Sequence, residues 1–431
     1  DEIENSFVKY KMAGSLSSSR SIGGRTAVEV SDGNVSITVL LGGGHIAEYA
    51  HFDGGVRSAN PMWSPPWPTS DPSIRRLTVA ANAEAFKPEG DAGESFDPLE
   101  CELLASIAGH NLCFDVFGAH SDGEVARAGQ SFHGEAGMVT WTVEAVAAEE
   151  GGTLTLGAQL PQSQLAAQRE ISIRPSAGTG AVSVVSVAES IINLTGIQRA
   201  LGRAQHVSIG KSFLEGGALF ASNATRGVVW PNAEEGSDWT PGAEFDYPLI
   251  PCSSISRSEG GADWRKFPRQ CAPAGGICSL LIDPAATHGW FVAARDVAAD
   301  ALPGSTAEGS APPAMCDVLA YRWVRADFPF LVTWEEDRSR TSKPWRGVTT
   351  VRGLEFSSYA FPKGRRWNVE QGTVLGAPSF EWLDARETKD TVFEVVFTRI
   401  HGRTAADVVA DESVAGDVAS WFAGHKEPKC E

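Results

Sequence analysis

From Thr26 to Ile400 the chain is dominated by short runs in which apolar and polar residues alternate. Val35-Ser36-Ile37-Thr38-Val39, Val139-Thr140-Trp141-Thr142-Val143 and Thr391-Val392-Phe393-Glu394-Val395-Val396-Phe397 are examples, and Gly, Asp or Pro separates one run from the next. A period of two marks strands with one buried face. Helical periodicity is confined to Pro98–Ile107 and Ala405–Phe422. Many short strands, Gly/Pro turns and few helices predict an all-β sandwich or barrel. No linker or fixed-period repeat interrupts the pattern, so residues 26–400 read as one large β domain. The Ser- and Gly-rich segment Tyr10 to Arg25 predicts a flexible leader over residues 1–25, and residues 401–431 predict a helical tail packed on the outside. Two stretches rich in Gly, Pro, Ser and Ala, Pro251–Gly276 and Ala298–Met315, read as surface insertions that wall a cleft or meet a protein partner.

Composition narrows the function classes. With 42% hydrophobic and 21% charged residues over 431 positions, the chain has the balance of a globular protein with a sizeable core. A net charge of −18 argues against nucleic acid as a partner, because phosphate backbones are met by basic stripes. No apolar run is long enough to predict a transmembrane helix. The chain begins at Asp1 with no basic segment leading into an apolar one, so a targeting peptide is either already removed or was never included. The compartment stays open. Seven cysteines lack zinc-finger spacing; the odd count leans toward a reducing compartment, with a disulfide among Cys252, Cys271 and Cys278 still open.

The candidate chemistry is acid–base. Gly109-His110-Asn111-Leu112-Cys113-Phe114 and Gln130-Ser131-Phe132-His133-Gly134-Glu135 place histidines at strand mouths, where Gly134 permits close ligand approach. His206 sits in Gln205-His206-Val207-Ser208-Ile209-Gly210, either as a half-buried strand histidine or as a proton donor. Glu355, between Leu354 and Phe356, lies on the solvent face of an edge strand or points into a pocket; in a pocket, desolvation makes it a better base. Arg352 is the nearest compensating charge in sequence, but at three residues' distance it points to the other face of a strand. Trp63, Trp67, Trp334, Trp345 and Tyr359 provide planar faces of the kind that stack on the C–H faces of a sugar, or that fill a core. Phosphate loops, dinucleotide fingerprints, Gly-x-Ser-x-Gly elbows and His-Glu-x-x-His motifs are absent from the sequence.

In order along the chain, Gly109–Gly118, Phe132–Ala136 with Trp141, Gln205–Gly210, Trp334–Asp337 and Arg352–Ser357 resemble conserved blocks of the galactose mutarotase-like superfamily, which includes the aldose 1-epimerases and hexose-6-phosphate 1-epimerases. The resemblance implies a β-supersandwich with a sugar in the cleft of its concave sheet. It implies ring opening with Glu355 as base and His206 as acid, and with His133 holding a hydroxyl or sharing the acid role. His110, Asn111, Asp246, Trp63, Trp67, Trp334 and Arg352 complete the implied substrate-binding set. Interconverting anomers needs one proton removed and one delivered, so neither metal nor redox cofactor is expected. The arginines that accompany phosphate recognition in the phosphosugar enzymes are missing: Ala108-Gly109-His110 precedes the first block and Gly137 follows the second. An unphosphorylated sugar is therefore the expected ligand. Two other readings stay open, a non-catalytic carbohydrate-binding or structural subunit that retains the fold and a polysaccharide lyase or hydrolase. The isomerase reading predicts that Glu355 and His206 face each other across a gap of about 5–8 Å, enough for one pyranose between hydrogen-bonding partners.

Overall fold

Two large antiparallel sheets, of fourteen and nine strands among the described residues, account for most of the chain, as the all-β expectation has it. The computed structural model describes residues 10–11, 16–72, 86, 98–121, 131–147, 152–177, 182–234, 236–253, 261–268, 274–297, 314–410 and 414–423. Five adjacent strands form the middle of the larger sheet: β1 (His110–Asp115), β2 (Arg199–Gly210), β3 (Ala274–Ile282), β4 (Phe330–Asp337) and β5 (Thr350–Ser357). They lie side by side in the order β1-β2-β5-β4-β3, so segments far apart in sequence become neighbours.

The core fills the space between the sheets. Leu112, Val207, Leu354 and Phe356 from the larger sheet meet Tyr321, Trp323, Phe393 and Val395 from the smaller. Trp323 stacks on Phe356 with ring centroids 4.5 Å apart and planes 8° from parallel. Each such side chain contributes roughly 1.5–3 kcal/mol over its exposed state. All six positions of β1 are buried, because its outer face is covered as well as its inner one. On that outer face Cys113 packs with Phe117, Ala204, Val332 and Tyr359, and the turn at Gly134 lies against Phe114. Beyond the end of β1 the segment at Met62 and Trp63 continues beside β2, and the helix α1 (Pro98–Leu104) packs on Trp63.

Several expectations change on contact with the structure. Leu16–Ile22, placed by its composition in a flexible leader, is a strand paired with Arg25–Ser31 and adds to the end of the larger sheet. Its serines erase the apolar alternation, but Gly23-Gly24, both with positive φ, supply the two-residue turn that right-twisted hairpins favour. Helices form at Pro98–Leu104, Ala405–Val408 and Val414–Trp421, and an unanticipated one at Gly364–Gln371. The two in the C-terminal region pack Val408, Val418 and Trp421 on Val292, Ala294 and Val318 of the smaller sheet. A reciprocal Thr404–Asp407 capping box starts the first of them. Residues 298–313 of the second insertion, and Cys271 of the disulfide expectation, lie outside the described residues. Among the described residues no helix is long and apolar enough to cross a membrane.

Candidate active site

Strand register brings the acid–base residues together. His206 on β2 stands opposite Asn111 on β1 and Glu355 on β5, and Glu355 stands opposite Val332 on β4. Directly opposed residues project from the same face of a sheet, so these four form a row on the outer face. His206 Nε2 lies 3.0 Å from Glu355 Oε1, and His206 Nδ1 lies 3.2 Å from Ser208 Oγ. The expected gap of about 5–8 Å between base and acid is thus corrected to direct contact. Register sets the two side chains side by side, and no wider gap is needed: the anomeric and ring oxygens of a pyranose are bonded to one carbon.

His133 reaches the same spot from a turn. Its φ of 64° is uncommon for a residue with a side chain and recurs at functional sites. Next to it, a Cβ on Gly134 would overlap the Phe114 carbonyl oxygen, so only glycine lets this turn lie against β1. The Gly118 N–H donates to His133 Nδ1 at 3.0 Å, which leaves the neutral ring carrying its hydrogen on Nε2 as a donor. Its ring lies 5.3 Å from that of His206.

Burial sets the protonation of the trio. It holds the Glu355 carboxyl well above the usual carboxylate range and lowers His206 to about 4. Burial first, then His206 and His120, pushes His133 well below an ordinary histidine. Burial therefore presses both members of the contact pair toward neutrality.

Above this row opens a cleft of about 880 Å³, solvent at its mouth included. Its floor holds His206, Glu355 and Val332; Phe117, Phe132 and His133 form one side, and Trp63, Trp334 and Trp345 another. The mouth carries Arg340, whose guanidinium lies over the rings of Trp334 and Trp345 at 5.6 and 5.1 Å. Glu100, Glu234 and Glu336 surround that guanidinium at 4.0, 3.9 and 3.7 Å. Among the described residues lining the cleft, Arg340 is the one permanent cation. Sequence reasoning missed Arg340, Glu100 and Glu234. The available signal was an arginine on the loop just past the Trp334–Asp337 strand end; Glu100 stands in the first turn of the expected helix α1, and Glu234 on a segment with no periodic signature.

Five residues of the implied substrate-binding set do not line the cleft. His110 neighbours Asn111 and so projects the opposite way, into the core, where Nε2 meets Gln205 Oε1 at 2.9 Å and Nδ1 meets the Tyr321 hydroxyl at 3.3 Å. Arg352, three residues from Glu355, also faces the core. It lies 3.2 Å from Glu335, donates to the Trp264 carbonyl at 2.6 Å and stacks over Phe220 and Trp264. Asn111 lies in the row with His206 but is buried beneath the wall, its Nδ2 without a hydrogen-bond partner. Asp246 is exposed on the last strand of the larger sheet, paired with Arg226. Trp67 stands behind the wall, edge-on to Trp63 and Trp345, and its indole N–H caps the Leu104 carbonyl at the end of α1. Trp63 and Trp334 do line the cleft.

The glycine at 353 shares the face of Glu355 and gives its carboxylate room: a Cβ there would overlap Glu355 Oε1 and crowd Trp334. Gly353→Ala is expected to displace the carboxylate from His206 and cut turnover by about tenfold or more. The melting temperature is expected to change little, because the overlapped atom is the end of a side chain. Full activity in a folded Gly353→Ala protein would show that the contact geometry is unimportant.

Comparison with solved structures places this architecture. The crystal structure of a candidate aldose 1-epimerase from Klebsiella pneumoniae subsp. pneumoniae superimposes with a TM-score of 0.58 at 13% identity, over 98% of this chain and 94% of that one. This is the galactose mutarotase-like fold. A galactose mutarotase-like protein from Clostridium acetobutylicum is also similar, with a TM-score of 0.48 at 11% identity over 90% of this chain and 99% of that one. No protein-family model and no curated protein matches the sequence. In the galactose mutarotase-like fold as built here, the row of Asn111, His206, Glu355 and Val332 occupies the centre of the larger sheet.

Proposed function

We propose that the protein is an aldose 1-epimerase-type isomerase that interconverts the anomers of an unphosphorylated sugar. The observation that carries this reading is the 3.0 Å contact between His206 Nε2 and Glu355 Oε1 on the floor of an aromatic cleft. Both oxygens that must exchange protons in ring opening hang on the anomeric carbon, so adjacent groups on neighbouring strands serve them together.

With a single proton shared by the pair and carried by His206, Glu355 is a carboxylate. It takes the proton of the anomeric hydroxyl; the carbonyl forms as the bond from the anomeric carbon to the ring oxygen breaks, and His206 protonates that oxygen. The open aldehyde turns about its C1–C2 bond. Closure on the other face returns the ring-oxygen proton to His206 and the Glu355 proton to the new anomeric hydroxyl. Burial favours the proton on Glu355, so substrate hydroxyls must draw it across to His206 by hydrogen-bonding the charged pair. His133, a neutral Nε2–H donor, holds a hydroxyl rather than supplying the acid. Arg340, already ringed by Glu100, Glu234 and Glu336, favours a neutral substrate over a phosphorylated one.

Anomer exchange followed by NMR over a panel of free aldoses tests the reading; no acceleration over buffer for any sugar would end it. The pH profile is a further check. The pair works while it carries one proton, so activity is expected to stay flat through neutrality and fall as pH drops through about 4, where His206 gains a second proton for the pair. The alkaline limb is expected well above the carboxylate range, where Glu355 loses the shared proton. An acid limb near 6.5, the ordinary histidine value, would put the acid outside this buried pair.

A further inference from the structure

Beyond Trp230, Glu234 and Ile277 the cleft meets a second hollow of about 400 Å³, open solvent included, that shares those three residues with it. Ile277 on β3 stands opposite Trp334 on β4, so one strand pair borders both spaces. Past the shared wall the hollow is lined by Asn232, Ser237, Ser253 and Trp239, and among its described lining residues there is no cation. The half-buried indole of Trp230 on the shared wall gives a sugar's C–H groups an apolar surface, and the neutral amide and hydroxyl side chains pair with its hydroxyls, which is chemistry for a pyranose. The nearest cations stand at its edge and are already engaged, Arg340 beside Glu234 at 3.9 Å and Lys363 over the Trp230 ring at 4.8 Å, and a purely apolar ligand would strand the polar groups. Glu234, at the junction, can accept hydroxyl hydrogen bonds from either side.

We propose that this hollow is a second sugar subsite, and that the preferred substrates are reducing disaccharides, or longer reducing glycans, rather than free monosaccharides. The inference rests on the isomerase reading, which fixes the reducing unit at Glu355 and His206. From that unit the chain of sugars leaves past Trp230 and Glu234, and the next unit occupies the hollow.

The experiment has a catalytic arm and a binding arm. NMR anomer exchange compares glucose with maltose, cellobiose and lactose, each of which carries glucose at its reducing end. At least one disaccharide is expected to exceed its monosaccharide in kcat/KM by about tenfold, or about 1.4 kcal/mol. Calorimetry compares the methyl glycosides of the same sugars, which cannot ring-open, and the same ordering is expected in their affinities. Ala233→Trp places an indole in the hollow from an exposed position. It is expected to reduce the disaccharide advantage to less than about threefold in both arms. Disaccharides no better than monosaccharides in either arm, or an advantage that survives Ala233→Trp in the folded protein, would overturn the second subsite. Monosaccharide exchange would then still support the isomerase. Conversely, absence of all exchange with a disaccharide-selective, Ala233→Trp-sensitive affinity would remove the isomerase and keep the hollow as a glycan-binding subsite.

Discussion

Glu355→Gln is expected to lower kcat for anomer exchange by about a thousandfold, within the range that a positioned general base contributes. The amide fills the same space beside His206 but cannot take the anomeric proton, and without a partner carboxylate the imidazole has no proton to share. Sugar affinity should stay within a few fold, since the aromatic walls and His133 are untouched. Stability should not suffer. Burial raises the folded pKa of Glu355 above its unfolded value, so its contribution is full below the unfolded pKa and is lost as pH rises toward the folded one. The variant is therefore expected to match the wild type in acid and to exceed it at alkaline pH. NMR exchange rates and thermal melts measure both effects; a loss of activity under tenfold would take Glu355 out of the base role.

Arg352→Met is expected to do the reverse. The guanidinium is fully buried against Glu335 and three aromatic rings on the core side of β5. Removing it leaves the Glu335 carboxylate in the core without that guanidinium, a change that costs about 3–5 kcal/mol. Chemical denaturation should show that loss, while turnover per folded molecule is retained because Arg352 does not line the cleft. A protein of unchanged stability with impaired turnover would instead return Arg352 to the substrate.

These two residues show what the sequence discloses and what it hides. The β-rich pattern, the helices near Pro98 and Ala405, and the convergence of Glu355, His206 and His133 were legible from alternation and motif order. Parity also set Arg352 on the face opposite Glu355, but which face of a strand meets the core was not legible. In β1 and β5 both faces are covered, so nearly every position is buried and the alternation that reveals a solvent face disappears. His110 and Asn111 are adjacent and equally polar, yet one meets Gln205 and Tyr321 in the core while the other stands beside His206. Arg352 imitates a ligand-binding arginine because a core that holds a paired charge looks, in one dimension, like a site. With Glu355 placed in the cleft, residue parity resolves this: Glu355 is three residues from Arg352, and an odd separation on a strand means opposite faces. Arg340 escaped for a different reason, since it stands on a loop whose course only the packed walls determine.

In the proposed isomerisation, the single proton shared by Glu355 and His206 also shapes the catalytic cycle. What the pair lends to the opening ring it recovers when the ring shuts, so each passage between anomers ends with the protein in its starting charge state. No exchange with bulk water is required to reset it. One captive sugar can therefore flip its anomeric centre repeatedly before leaving, and escape from the aromatic walls, rather than regeneration of the protein, governs how quickly the next molecule is served.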